Sequence, residues 1–280
     1  MEVRIQDDRS QTFPKGTILG LWQQFPIPMV SRYLAHMGWD CVILDMQHGC
    51  FSYETAYECI HNIRVAGIQP WVRVSIGSAN EVQKMLDLGA QGIVVPMVNS
   101  LKDAQELAQA AKYPPLGNRS LGGDFRYTYG NHYPDEANTT TKLLVQVEHI
   151  RSVEVVEEIM GVDGVDGCLV GPSDMALSMG LPWIGFENDP RHRSAIQRTV
   201  NACASFRKLA CCNCYSMREA EERAIQGFRC ITLESDVDHF MATTQRLLAD
   251  LREATRGQFV NTSGLSTETS SPRSSERRFS

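Results

Sequence analysis

Two acids sit at the ends of two apolar runs. The first run, LLVQV at 143–147, stops at Glu148, and the second, CLV at 168–170, ends in Gly171-Pro172-Ser173-Asp174. Between them, residues 152–160 carry apolar side chains at helical spacing. Strand, helix, strand is the unit of a parallel sheet, and its right-handed crossover brings both strand ends to the same carboxyl edge. Two carboxylates there make a site for a hard divalent cation such as Mg²⁺, which takes oxygen ligands and often binds through one or two carboxylates plus substrate oxygens. The alternative is a solvated glutamate and a helix N-cap aspartate, since acids are common at strand ends in α/β folds.

Other strand ends add to this set. The first apolar run of the chain ends in Trp22, the second in Asp45 with Gln47 and His48 just past it, and the third carries Arg73, while Gln146 stands two residues before Glu148. A neutral imidazole accepts a proton near pH 7, so His48 is a general-base candidate, against the alternative of a loop histidine with no role. Arg73, inside the apolar segment WVRV at 71–74, needs an anion. That anion is either a substrate or Asp45 in a structural pair. Asp45 is then a ligand of metal-bound water or an orienting group. The segment Gly171-Pro172-Ser173-Asp174, opening a helix, leaves backbone N–H groups able to hold a carboxylate. Asp87, in LDLG at 86–89, is by itself only a residue near a helix end. An acid, a base, an arginine and two candidate ligands on one face are harder to explain away than any one of them.

The elements that must position these residues alternate regularly. Strands are expected at 17–22, 41–45, 70–74, 92–96, 143–147, 168–170, 209–212 and 230–233, and helices at 27–37, 53–65, 79–88, 100–111, 152–160, 195–205, 216–226 and 237–254. Eight strands alternating with helices in about 250 residues suit a (β/α)₈ barrel, whose active site lies at the carboxyl ends of the strands. A doubly wound sheet is the runner-up, but it would usually carry a Gly-rich phosphate turn after its first strand, and none follows Trp22. Residues 113–138, rich in Gly, Pro, Asn and aromatics, read as a long functional loop, and residues 181–191 as a second irregular insert. Residues 1–16 read as a lead-in, 17–257 as the catalytic barrel, and 258–280, rich in Ser, Thr and Arg, as a disordered tail.

Composition narrows the functional class. The chain has 280 residues, 42% of them hydrophobic, and a net charge of -6. That suits a large α/β core and argues against nucleic-acid binding. No apolar stretch is long enough for a bilayer span, and the mixed-charge start MEVRIQDDRSQTF lacks a signal-peptide core. With nine cysteines, an odd count, the expectation is reduced thiols in a cytoplasmic enzyme. Cys211, Cys212 and Cys214 cluster without a second pair at finger-like spacing, so buried strand cysteines are expected rather than a metal site.

Taken together, these residues resemble the HpcH/HpaI family of class II, metal-dependent pyruvate aldolases. The matching segments are LGLW at 19–22, LDMQHG at 44–49, VRV at 72–74, LDLGA at 86–90, VPMV at 95–98, YPPLG at 113–117, VQVE at 145–148 and VGPSD at 170–174. The resemblance implies a barrel of the phosphoenolpyruvate/pyruvate-binding type that makes or cleaves 4-hydroxy-2-keto acids through a metal-bound pyruvate enolate. Glu148 and Asp174 would bind Mg²⁺, Mn²⁺ or Co²⁺. Arg73 would stabilise the enolate, and His48 would be the base on the aldol hydroxyl. Asp87 would come from a neighbouring subunit to orient His48, which implies a homo-oligomer, a hexamer in the family. The N–H groups of Ser173 and Asp174 would hold the pyruvate carboxylate, with Gly171, Pro172, Gln146 and Trp22 around the substrate. Lewis-acid chemistry needs no Schiff-base lysine, and no strand end here carries one. Pyruvate or oxaloacetate and an aldehyde or other electrophile are the implied partners. The family also includes relatives such as macrophomate synthase, which decarboxylate oxaloacetate and trap the enolate. That is the alternative within enzymes, and a non-catalytic barrel with a binding role is the alternative outside them. This chain departs from the pattern at Gln47, where many members have an acid, and in its cysteine-rich seventh strand.

Overall fold

The computed structural model describes residues 15–122, 130–182 and 184–255. Eight strands close into one parallel barrel in sequence order, each pairing with the next and the last with the first. They are β1 (Ile18–Gln23), β2 (Cys41–Asp45), β3 (Gln69–Arg73), β4 (Gly92–Val95), β5 (Lys142–Val147), β6 (Gly167–Val170), β7 (Leu209–Cys214) and β8 (Cys230–Ser235). The helices between them are α1 (Pro28–Ala35), α2 (Tyr53–Val65), α3 (Ala79–Asp87), α4 (Leu101–Ala111), α5 (Tyr133–Thr140), α6 (Ile150–Glu154), α7 (Val156–Met160), α8 (Pro172–Ser178), α9 (Pro190–Ser205) and α10 (Met217–Gln226). Helix α11 (Asp236–Ala254) follows β8.

Serine starts four of these helices. Ser52, Ser78, Ser100 and Ser216 each accept the backbone N–H three residues on. Such a cap satisfies a donor the first turn cannot, worth about 1 kcal/mol. Each cap ends a loop at the carboxyl side of a strand, which fixes where the strand-end side chains emerge.

Two apolar layers result. Val42, Leu44, Val72, Ile93, Val145 and Val170 pack between strands and helices. Inside the barrel, Trp22, Cys41, Ile43, Trp71, Val94, Leu144, Leu169, Cys211 and Cys230 form a second cluster. Trp71 is fully buried there, and a Cβ on Gly92 of the neighbouring strand would stand 2.6 Å from its ring. Gly92 is therefore the space that Trp71 occupies. Cys211, Cys212 and Cys214 are buried and free, so the expectation of strand cysteines holds.

The differences from the sequence reading lie at element ends. The helix expected at 152–160 is broken at Val155 into α6 and α7. Helix α9 begins five residues earlier than expected, at Pro190, where Asp189 caps it. The long segment 113–138 gives way to α5 at Tyr133. Strands β7 and β8 each run two residues further than their apolar runs. Residues 1–14 of the lead-in expected at 1–16, and the whole tail expected at 258–280, lie outside the described residues.

Contacts divide the chain after His239. The first unit contains the barrel. The second begins at Phe240, is helical through Ala254, and has Phe240, Met241, Leu247, Leu248 and Leu251 exposed. No helix among the described residues is long and apolar enough to cross a membrane.

Candidate active site

A cavity of about 210 Å³ opens at the carboxyl ends of the strands. Trp22, Asp45, His48, Arg73, Gln146 and the whole segment Gly171-Pro172-Ser173-Asp174 line it. Parallel pairing explains the convergence, because eight strands running the same way deliver their ends to one face.

Arg73 is held in place twice. Its Nε donates to Asp45 Oδ1 at 2.9 Å and its Nη2 to Asp45 Oδ2 at 2.7 Å. Its guanidinium lies 4.6 Å from the centre of the Trp22 ring. The register sets this up, since Asp45 and Arg73 are paired positions on β2 and β3. Asp45 also accepts the Gln24 amide at 3.1 Å and the backbone N–H groups of Gln47 and His48. Burial alone would push the Asp45 carboxyl up, but the Arg73 hydrogen bonds and charge outweigh it and hold the group below the usual carboxylate range. Asp45 thus takes the arginine pairing left open by the sequence, and orients both Arg73 and the turn that carries His48. His48 itself is exposed at the cavity.

Glu148 sits beneath the other side of the opening, 2% exposed. Its Oε1 accepts the Met97 N–H at 2.7 Å and its Oε2 the Gln146 amide. Met97 reaches it from a left-handed backbone, φ 56°, a costly conformation for a residue with a Cβ. Burial first, and then the charge of Asp174, push the Glu148 carboxyl up to about 7, against the Met97, Arg73 and Gln146 contacts. The β6 loop presses on it closely. A Cβ on Gly171 would stand 2.7 Å from Glu148 Cβ and 2.8 Å from Oε2. From outside, buried His192 bonds the Pro172 carbonyl through Nε2 at 2.9 Å.

These residues fit a divalent cation. The Asp174 charge lies close enough to Glu148 to oppose its ionisation, and the buried Gln146 Oε1 beside Glu148 has no partner among the described residues. No group of three or more His, Cys, Asp or Glu side chains with metal-binding geometry occurs among the described residues. One or two carboxylates, with water and substrate in the other positions, are the usual Mg²⁺ arrangement.

Asp87 is not brought into this cavity. It ends α3 and accepts Arg119 Nη2 at 2.8 Å. Arg119 is itself buried with its guanidinium 4.5 Å from the Tyr113 ring centre. Sequence reasoning missed Gln24, Asn213, Tyr215, Glu234, Ser235 and Asp238, which also line the cavity. The available signal was the polar residues following the apolar runs of β7 and β8, which the strands extend to include.

The family model described as HpcH/HpaI aldolase/citrate lyase matches residues 19–242. A hydroxypyruvate/pyruvate aldolase of Rhizorhabdus wittichii is 32% identical over 232 residues, 82% of this chain and 92% of that protein. A solved HpcH/HpaI aldolase/citrate lyase family protein from Burkholderia cenocepacia superposes with a TM-score of 0.78 at 28% identity, covering 84% of this chain and 95% of that one. Macrophomate synthase superposes with a TM-score of 0.78 over 88% of this chain and 87% of its own, and at 24% identity that likeness is one of fold. The family match spans all eight strands, and on that ground the chain belongs to the HpcH/HpaI aldolase/citrate lyase family of carbon–carbon lyases.

Proposed function

We propose that this protein is a divalent-metal-dependent aldolase that cleaves or forms 4-hydroxy-2-keto acids, with pyruvate as the keto-acid product or donor. One observation carries the reading. A base candidate, a locked arginine and a carboxylate pair line or adjoin one cavity. Glu148 and Asp174 would hold Mg²⁺, Mn²⁺ or Co²⁺, and the ion would supply Lewis-acid polarisation of the keto oxygen. In the cleavage direction His48 takes the proton of the C4 hydroxyl, the C3–C4 bond breaks, and its electron pair moves toward the keto oxygen. Arg73 stabilises the negative charge that develops there, with Asp45 fixing the guanidinium before the reaction begins. A proton delivered to C3 completes pyruvate, and the other product is an aldehyde. The first-turn N–H groups of Ser173 and Asp174 have no helical acceptor and suit the pyruvate carboxylate. Gly171, Pro172, Gln146 and Trp22 shape the pocket around it.

Asp87 has its place in this reading as a residue acting on the His48 of a neighbouring subunit, within a homo-oligomer, a hexamer in the family. Support comes from its position outside its own cavity and from the exposed apolar side chains of the second unit. Nine free thiols suit a cytoplasmic setting.

Oxaloacetate decarboxylation with enolate trapping uses the same carboxylates and arginine, and the fold likeness to macrophomate synthase favours keeping it as the second reading. The test is pyruvate release from a panel of 4-hydroxy-2-keto acids and oxaloacetate, by metal-stripped protein and by protein with Mg²⁺ or Mn²⁺. Turnover restored by metal on the aldols supports the proposal. Activity insensitive to EDTA would refute it, and turnover of oxaloacetate alone would shift the assignment to the second reading.

A further inference from the structure

The β7–β8 side of the cavity is built differently from the rest. From Gly20 to Trp22 strand β1 advances two residues, while its partner β8 advances three, from Thr232 to Ser235. One residue of β8 is therefore extra, a β-bulge. Glu234 lies within it and takes a left-handed backbone, φ 46°. Bulges re-aim side chains next to active sites, and here the re-aimed residue lines the cavity. Asp238, in the first turn of α11, lines it as well and accepts the N–H of Ser235 at 3.0 Å and its hydroxyl at 2.7 Å. Asn213 lines it too, its Oδ1 accepting from the Thr232 hydroxyl at 2.8 Å and its side chain hydrogen-bonded to Tyr215.

Charge bookkeeping gives this wall a sign. Among the described lining residues Arg73 is the one fixed cation, and Asp45 already neutralises it. A divalent ion would balance Glu148 and Asp174. Glu234 and Asp238 remain; Glu234 Oε2 lies 3.4 Å from His239 Nδ1, and His48 is the one imidazole among the described lining residues. Carboxylates only accept hydrogen bonds, so they pair with hydroxyl groups and repel a second carboxylate. At about 210 Å³ the cavity is small, which suits a short-chain partner beside pyruvate.

Resting on the aldolase reading above, we propose that Glu234 and Asp238 select the aldehyde partner. They favour a short, neutral, hydroxyl-bearing aldehyde and exclude aldehydes that carry a carboxylate. Glu234 and Asp238 act on the partner and not on pyruvate, so they are specificity residues. The extra β8 residue is what gives Glu234 its aim.

The experiment is aldol addition of pyruvate, with Mn²⁺, to glycolaldehyde and glyceraldehyde on one side and to glyoxylate and succinic semialdehyde on the other. Oxaloacetate decarboxylation is measured in parallel, because it needs no aldehyde. Wild-type protein is expected to prefer the neutral aldehydes by at least about tenfold in kcat/KM, since like-charge contacts in a cleft are worth more than that. Glu234→Gln should shift the anionic-to-neutral ratio toward the anionic aldehydes by about tenfold, and Asp238→Asn in the same direction. Glu234→Gly removes the charge at a backbone conformation that glycine adopts freely, so it repeats the test without a folding cost. Equal or better use of anionic aldehydes by the wild type, with decarboxylation intact, overturns the inference and leaves the aldolase reading standing. Ratios unmoved in both Glu234 variants overturn the assignment to Glu234. Loss of all metal-dependent decarboxylation and addition in the wild type overturns the underlying reading, and this inference with it.

Discussion

The β5–β6 edge and the β7–β8 edge line the same cavity and are built in opposite ways. Across β5 and β6 the register is unbroken from Leu144 opposite Gly167 to Val147 opposite Val170. Glu148 emerges there buried, gripped by Met97, Gln146 and the close approach of Gly171. At the other edge the register between β8 and β1 slips, and Glu234 stands in the slip, with its side chain about a quarter exposed. The first edge has the rigidity that a cation requires, because its carboxylates must hold their places against mutual repulsion and desolvation. The second has the features of a surface that can be altered by small backbone changes without disturbing the first. A fold that keeps one reaction and changes partners needs this division.

The comparison breaks most severely at the first edge. Glu148→Gln or Asp174→Asn should reduce metal-dependent pyruvate release to the level of EDTA-treated protein, with the circular dichroism spectrum retained. Retained turnover in either variant would place the cation elsewhere.

Next in size is the split between His48 and Arg73. His48→Ala should slow aldol cleavage by about 10²–10⁴, the range for a general base, and spare oxaloacetate decarboxylation, which has no C4 hydroxyl proton to remove. Arg73→Ala should slow both reactions by about 10²–10³, as loss of a preorganised charge stabiliser does. Arg73→Lys should recover little, because an ammonium cannot reproduce the two bonds to Asp45. Equal losses of both activities in His48→Ala would mean that it positions the turn and does not take the proton.

The same contrast decides what could be read from residue types and spacing. The barrel, its strand order and the β5–β6 edge were legible, since VQVE and VGPSD put charged residues directly after apolar runs. Arg73 was legible for the same reason, as a cation inside WVRV. The β7–β8 edge was not. Its strands continue past their apolar residues into Asn213-Cys214 and Glu234-Ser235, where pairing with neighbouring strands sustains a conformation that local hydrophobicity does not signal. A bulge depends on the register of two strands far apart in the chain. Arg119 likewise meets Asp87 across 32 residues, which no local pattern records.

A smaller effect follows from pH. Burial raises Glu148 to about 7 in the metal-free protein, so below that pH a proton competes with the cation for the carboxylate. Metal binding must release that proton. The apparent Mn²⁺ affinity should therefore fall by about tenfold per pH unit below 7 and level off above it. Calorimetric titration in buffers of different ionisation enthalpy reads both the affinity and the proton released. A flat profile between pH 5.5 and 8, values spanning the raised carboxyl, would show that Glu148 is not a ligand.

The smallest expected effect concerns how the first edge is held from outside. His192 starts far from the cavity in sequence, near the beginning of α9, yet its Nε2 reaches the Pro172 carbonyl, two residues before Asp174. A carbonyl can only accept, so the imidazole must carry its proton on Nε2. Burial pushes the His192 pKa down, which keeps the ring neutral and fixes that tautomer, while Nδ1 has no partner among the described residues. His192→Leu removes this donor and leaves the Pro172 carbonyl its helical partner alone, a cost of about 0.5–1.5 kcal/mol for one lost hydrogen bond. His192→Gln keeps an N–H at a similar reach and should retain most of that stability. If the bond only supports the fold, both variants should lower the melting temperature without changing Mn²⁺ affinity in the folded protein. If it sets the height of the β6 loop, His192→Leu should also weaken Mn²⁺ and raise KM for the keto acid by roughly two- to tenfold, the equivalent of one net hydrogen bond, with kcat less affected. His192→Gln should restore both. The second pattern would mean that the rigidity of the first edge extends through α8 to a residue behind it, whereas the β7–β8 edge needs no such brace.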